Sequence, residues 1–95
     1  MRVFVSEFVC GGGWPGASLE TSLAREGQAM LAALIEDISN ISGCDVVTTW
    51  DSRLGPCPLR YCDVRLVDSV VDELSQFREL IRDSDAVWVI APESN

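Results

Sequence analysis

Glycines stand at positions 11, 12, 13 and 16, directly after the apolar run Val3-Phe4-Val5 to Phe8-Val9 and before a helical pattern that begins near Thr21. A glycine cluster between a strand and a helix lets backbone come close to a bound group, because glycine reaches φ > 0 without a Cβ penalty. The free N–H groups at the start of the following helix favour an anion. Gly11, Gly13 and Gly16 also satisfy G-x-G-x-x-G. Against a dinucleotide loop, Pro15 and further residues separate Gly16 from the helix. The ribose-binding acid, expected about 20 residues on, is met only by Asp51, roughly twice as far along. The loop therefore reads as a ligand-facing turn of another kind or as a tight structural turn.

Three acids and an arginine belong to the same question. Glu7 closes the first strand, where a carboxylate is costly to bury unless paired; Arg25 and Arg53 are the cations that could pair with it. Asp51 and Arg53 follow the second strand and either bind a polar substrate or pair with each other. Glu93 follows the fourth strand, whereas Glu26 reads as a solvated helix acid. The expected substrate-binding set is Glu7, Gly11, Gly12, Gly13, Asp51, Arg53 and Glu93. No catalytic residue is assigned. The chain has no histidine and no lysine, and Ser6, Ser18 and Ser22 have no adjacent base, so a complete active site is not expected within it.

Cys10, Cys44, Cys57 and Cys62 form no C-x-x-C pair. Without histidine, zinc would need all four thiolates or a carboxylate, and the spacing suggests neither. Reduced thiols are expected, and no metal site. Cys10, leading into the glycines, reads as a small buried residue or as part of a site wall.

Charge and length narrow the classes. Seven Arg against fifteen acids leave a formal charge of −8, which opposes nucleic acid and anionic membrane surfaces, both of which need clustered cations. No apolar run nears the ~20 residues of a membrane span. Glu7 comes too early for a signal sequence, so a cytoplasmic location is expected. At 95 residues and 47% hydrophobic, the chain is one globular domain, residues 1–95.

The elements that must position these residues read β-α-β-β-α-β. Strand one spans Arg2 to Val9. The first helix, from Thr21 or Ser22 to Ser39, carries an apolar stripe at Leu23, Gly27, Met30, Leu31, Leu34, Ile35 and Ile38. Ser42-Gly43 ends it. Strand two spans Asp45 to Thr49, and Ser52 to Cys62, with Gly55, Pro56 and Pro58, is a loop. Strand three spans Asp63 to Val67. A second helix follows, capped by Asp68 or Ser69, and should bury Val71, Leu74, Phe77, Leu80 and Ile81. Ala86-Val87-Trp88-Val89-Ile90 is a continuous apolar run, the pattern of a strand covered on both faces, with Trp88 buried. Alternating strands and helices imply an α/β fold, a small three-layer Rossmann-like parallel sheet of order 3-2-1-4. The helix-free step from strand two to strand three leaves an antiparallel third strand as the alternative. The chain stops at Ala91-Pro92-Glu93-Ser94-Asn95, just past a strand, and is expected to be a domain of a longer protein.

Four segments carry a resemblance: Glu7-Phe8-Val9-Cys10-Gly11-Gly12-Gly13, Ser22 to Leu31 with its Arg25-Glu26-Gly27, Thr48-Thr49-Trp50-Asp51-Ser52-Arg53, and Ile90-Ala91-Pro92-Glu93. In that order they resemble the N-terminal region of the ATP-grasp carboxylate–amine ligases, the archaeal tyramine–glutamate ligases among them. The resemblance implies a pre-ATP-grasp domain that shapes a small-molecule substrate cleft and packs on catalytic ATP-grasp domains. ATP and magnesium would be bound by those domains, with no cofactor held by this chain. The alternatives are a stand-alone ligand-binding or assembly module of the same fold and, more distantly, a nucleotide-binding oxidoreductase domain. A sheet edge left open must also cover its apolar surface, which points to self-association.

Overall fold

Apolar and β-branched residues build four short strands: β1 Arg2–Glu7, β2 Asp45–Asp51, β3 Asp63–Val67 and β4 Ala86–Ile90. Helix α1 covers Thr21–Ser39 and α2 covers Val70–Asp83. In this computed structural model, residues 1–13 and 21–90 are described, the side chains of Thr21 and Val70 excepted. The strands form one sheet of order β3-β2-β1-β4, every neighbouring pair parallel. Val5 lies beside Thr48 on one side and Trp88 on the other, while Asp51 lies beside Val67. The order and the parallel third strand follow the sequence reading. The step from β2 to β3 is a helix-free crossover containing only a 3-10 turn at Ser52–Leu54.

The pleat divides the core into two layers. Leu31, Ile35 and Ile38 of α1 pack on Val3, Val5, Val46 and Trp50. On the opposite face Leu80 of α2 packs with Phe4 and Val47. Helix α2 begins at Ser69, whose hydroxyl accepts from Asp72 N–H at 3.1 Å, and Asp72 and Glu73 sit in its first turn, where the helix dipole favours acids.

Four expectations need correction. Strand β1 ends at Glu7 rather than Val9, and Phe8–Cys10 already form a turn. Strand β2 runs two residues longer, to Asp51. On α1, Met30 is exposed rather than part of the buried stripe. The expected burial around α2 and β4 is largely absent: only Leu80 is fully buried, Phe77 is half-buried, and Val71, Leu74 and Ile81 are exposed. Val87, Trp88 and Val89 are exposed as well, Trp88 at 55%. The reason is arithmetic. One helix on each face cannot roof four strands. Helix α1 lies on β1 and β2, α2 on β1 and β3, and the main contacts of β4 are with β1 alone. Phe77 packs edge-to-face on Phe4, ring centres 5.5 Å apart. Its partial exposure puts a truncation there below the ~3–5 kcal/mol of a fully buried phenylalanine.

Candidate functional site

Because all four strands are parallel, their C-terminal ends share one edge of the sheet, the edge where open α/β folds form a ligand crevice. Glu7, the glycine turn, Asp51 and Arg53 all stand at this edge. Glu93 and Gly16 lie outside the described residues.

The turn after β1 is tied to three strands. Gly11 N–H donates to the Glu7 carbonyl at 2.8 Å and Gly13 N–H to the Phe8 carbonyl at 3.0 Å. Phe8 N–H donates to Ile90 O of β4 at 3.0 Å, and Asp51 N–H of β2 donates to Cys10 O at 2.6 Å. The glycines are needed for how closely this turn sits on its neighbours. A Cβ on Gly11 would lie 2.8 Å from Thr49 Oγ1, and one on Gly13 would lie 2.7 Å from the Phe8 ring. Gly12, at φ +96°, would bring a Cβ within 2.6 Å of Val67 Cγ1 at the end of β3. The space a side chain would fill is thus occupied by protein.

Glu7 is 1% exposed, and its partner is not an arginine. Its Oε2 accepts from Cys10 N–H at 2.6 Å. Arg53, one of the two cations expected for it, instead grips Asp51. The carboxylate lies against α1 at Gly27, where a Cβ would fall 2.5 Å from Glu7 Cδ and Oε2. Gly27 is therefore the notch that admits a buried carboxylate beneath the helix. The sequence reading placed Glu7 and Gly27 in separate motifs and missed their contact. Their joint signal was an acid closing β1 and a glycine in the middle of a helix where alanine is about 1 kcal/mol better.

Cys10 completes this cluster. Its thiol donates to Ala24 O at 3.3 Å. Burial first, then the neighbouring Glu7 carboxylate, push the thiol well above its usual range, so it is held protonated. All four cysteines are free.

Asp51 is 3% exposed and makes a forked pair with Arg53. Its Oδ1 accepts from Arg53 N at 2.9 Å and Nε at 3.0 Å, and its Oδ2 accepts from Nη2 at 2.6 Å. The hydrogen bond to Asp51 pushes the guanidinium pKa higher still. The arginine side chain stays partly exposed at this edge. Glu73, in the first turn of α2, stands next to Gly12, and burial raises its carboxyl above the ordinary range. Beside it lies a hollow of about 280 Å³ lined by Ser6, Phe8, Glu73, Leu74, Phe77 and Val89, which the sequence did not reveal. A wider cleft of about 560 Å³, with Arg2, Tyr61 and Asp63 on its walls, opens at the opposite edge of the sheet.

The edge holds an arginine fixed by the buried Asp51, beside a tightly packed turn anchored on the buried Glu7. The chain supplies no lysine for phosphates, and among the described residues no three His, Cys, Asp or Glu side chains are grouped to hold a metal ion. Among those residues, too, no helix is long and apolar enough to cross a membrane.

The family model described as the pre ATP-grasp 3 domain matches residues 44–95, from the start of β2 through β4. No curated protein and no solved structure matches the chain.

Proposed function

Since the chain belongs to the pre-ATP-grasp 3 domain family, we propose that it is the N-terminal accessory domain of an ATP-grasp carboxylate–amine ligase, with its C-terminal sheet edge forming one wall of the substrate cleft. The pre-ATP-grasp family match supports an ATP-grasp parent, and the carboxylate–amine class extends that reading. In that class ATP activates a carboxylate as an acyl phosphate for attack by an amine, and that chemistry belongs to other domains. Residues 1–95 have the narrower task of binding and orienting. Asp51 fixes the Arg53 guanidinium at this edge, where it can orient an anionic group of the substrate. Glu7 and the glycines hold the turn beside it. A cytoplasmic setting belongs to the same reading.

One observation carries the proposal: Glu7, the Gly11–Gly13 turn and the Asp51–Arg53 pair meet at the C-terminal edge of a wholly parallel sheet. A second reading, a stand-alone binding or assembly module, is favoured by the exposed faces of β4 and the lack of lysine and histidine.

Steady-state kinetics of the ATP-grasp protein that carries this domain test the proposal. Arg53→Ala should raise the KM of the acid or amine substrate while leaving the KM of ATP unchanged. An unchanged substrate KM would refute the substrate-wall role. Calorimetry of the 95-residue chain with MgATP should show no appreciable binding; a Kd of about 10 μM or tighter, roughly −7 kcal/mol, would show an ATP site of its own.

A further inference from the structure

We propose that the cleft at the N-terminal ends of the strands binds a basic amino acid: Arg2 takes the ligand's carboxylate, and Glu36, Asp45 and Asp63 take its two positive charges.

The cleft, about 560 Å³, opens at the end of the sheet opposite Glu7, Asp51 and Arg53. Its size falls within the ~300–1,000 Å³ of small-molecule pockets. Three parts of the fold build its walls. The C-terminal end of α1 gives Glu36 and Asn40, strands β1 and β2 begin there with Arg2 and Asp45, and Tyr61 and Asp63 lead into β3.

Arg2 is held firmly by its backbone. Its N–H donates to Asp85 Oδ2 at 2.7 Å, and its carbonyl accepts from Asp85 N–H at 2.8 Å. The guanidinium is not provided for in the same way. Its Nε is buried and has no hydrogen-bond partner among the described residues. Arg2 also takes no part in the ion pairs formed there, although three carboxylates line the same cleft and Asp45 is its neighbour in register on β2. Buried donors without an acceptor are rare in folded proteins, because each forfeits its hydration without return. A planar guanidinium is the side chain best matched to a carboxylate, which it meets through two parallel N–H···O bonds.

The rest of the cleft selects for positive charge. Three carboxylates stand against one guanidinium. Helix α1 ends here with no basic residue in its last turn, so the negative pole of its dipole is not offset. A ligand with only a carboxylate would be repelled. Among the described residues no three acids are grouped to hold a metal ion. The negative charge is therefore spread along the cleft, which suits an extended cation better than a point ion. Tyr61 adds an aromatic surface of the kind that attracts an ammonium or guanidinium. It stands at φ +66°, costly for a residue with a Cβ, and its side chain is 65% exposed on the cleft wall.

Isothermal titration calorimetry of the chain at neutral pH and low salt tests the assignment with four probes: L-lysine, L-arginine, cadaverine and glutarate. At least one of the two amino acids should bind saturably with a Kd of about 1 mM or tighter. Cadaverine lacks the carboxylate and glutarate lacks the cations, so each should bind at least about tenfold more weakly. Arg2→Gln should remove the advantage of the amino acid over cadaverine, and Asp63→Asn should weaken both, with unchanged far-ultraviolet circular dichroism spectra. Amide chemical shifts of the wild-type chain locate the ligand without any variant, and the changes should centre on Arg2, Asp45 and Cys62. Failure of both amino acids to saturate the chain at about 10 mM overturns the proposal. So does cadaverine or glutarate binding as tightly as the amino acid, a folded Arg2→Gln that binds unchanged, or shift changes centred on Gly11–Gly13 and Arg53.

Discussion

Gly27→Ala is the substitution that most directly tests how the site is held. In a solvent-facing helix interior it would be favourable, because alanine exceeds glycine by about 1 kcal/mol in helix propensity. Here the new methyl would stand 2.5 Å from both Cδ and Oε2 of Glu7, well inside contact distance. Glu7 is the end of a flexible side chain, but it is 1% exposed and has nowhere to go without opening the packing between α1 and the sheet. Overpacking of this kind costs about 1–3 kcal/mol. Displacing the carboxylate also breaks its hydrogen bond from Cys10 N–H, a charge-assisted bond worth ~1.5–3 kcal/mol. These losses exceed the propensity gain, so a net destabilisation of about 1.5–5 kcal/mol is expected. For a domain of this length each kcal/mol moves the melting temperature by roughly 4–8 °C.

Urea denaturation of four proteins makes the test: wild type, Gly27→Ala, Glu7→Ala and the double variant. Glu7→Ala is destabilising in its own right, because it leaves the Cys10 N–H buried without its acceptor. With the carboxylate gone, Gly27→Ala should cost far less and can become stabilising. The cycle should show a coupling within the ~0.5–3 kcal/mol seen for contacting residues. A neutral or stabilising Gly27→Ala in the wild-type background would falsify the notch, as would strictly additive single effects.

Gly12→Ala should destabilise by more than 1 kcal/mol, since it combines φ +96° with a Cβ 2.6 Å from Val67. Gly43→Ala has a similar φ but open space and should lose only about 1 kcal/mol; equal losses by chemical denaturation would mean that the turn is not packed on β3. The Cys62 thiol, raised to about 11 by burial ahead of its charged neighbours, predicts a pH effect. A folded-state pKa above the unfolded one stabilises below the unfolded value, so stability should fall as pH rises from about 9 towards 11. Cys62→Ser should make that decline in urea midpoints shallower, the share of the buried Cys10 thiol remaining, and an unaltered decline would assign it elsewhere.

The strand order could be read from the sequence because each segment declares its own type. The alternation of β1, α1, β2, β3, α2 and β4, with right-handed crossovers, leaves few arrangements. Coverage could not be read in this way. Ala86–Ile90 has the same apolar letters whether a helix lies over it or not, and α2 carries an apolar stripe whose outer members, Val71, Leu74 and Ile81, are exposed. The overreach at the end of β1 has a similar cause. Phe8 and Val9 favour strand, but the bond from Gly11 N–H to Glu7 O folds the chain back before them. The partner of Glu7 was sought among the arginines because only side chains differ along a sequence. A backbone N–H leaves no letter.

The division between the matched and unmatched parts of the chain has a physical consequence. The family match begins at residue 44, so it takes in Asp51 and Arg53 but not Glu7, the glycine turn or Gly27. The geometry joins these halves. Asp51 N–H donates to Cys10 O, Gly12 lies against Val67, and Glu7 holds the Cys10 N–H from beneath α1. The direction of the Asp51 backbone, and with it the Arg53 fork, is therefore set by residues outside the match. A loosened turn should shift the Arg53 guanidinium even though no atom of Arg53 touches a glycine. A protein could keep residues 44–95 intact and still lose the site through Gly27. For this reason the contact between Glu7 and Gly27, rather than the Asp51–Arg53 pair alone, is the feature by which chains with the same site should be recognised.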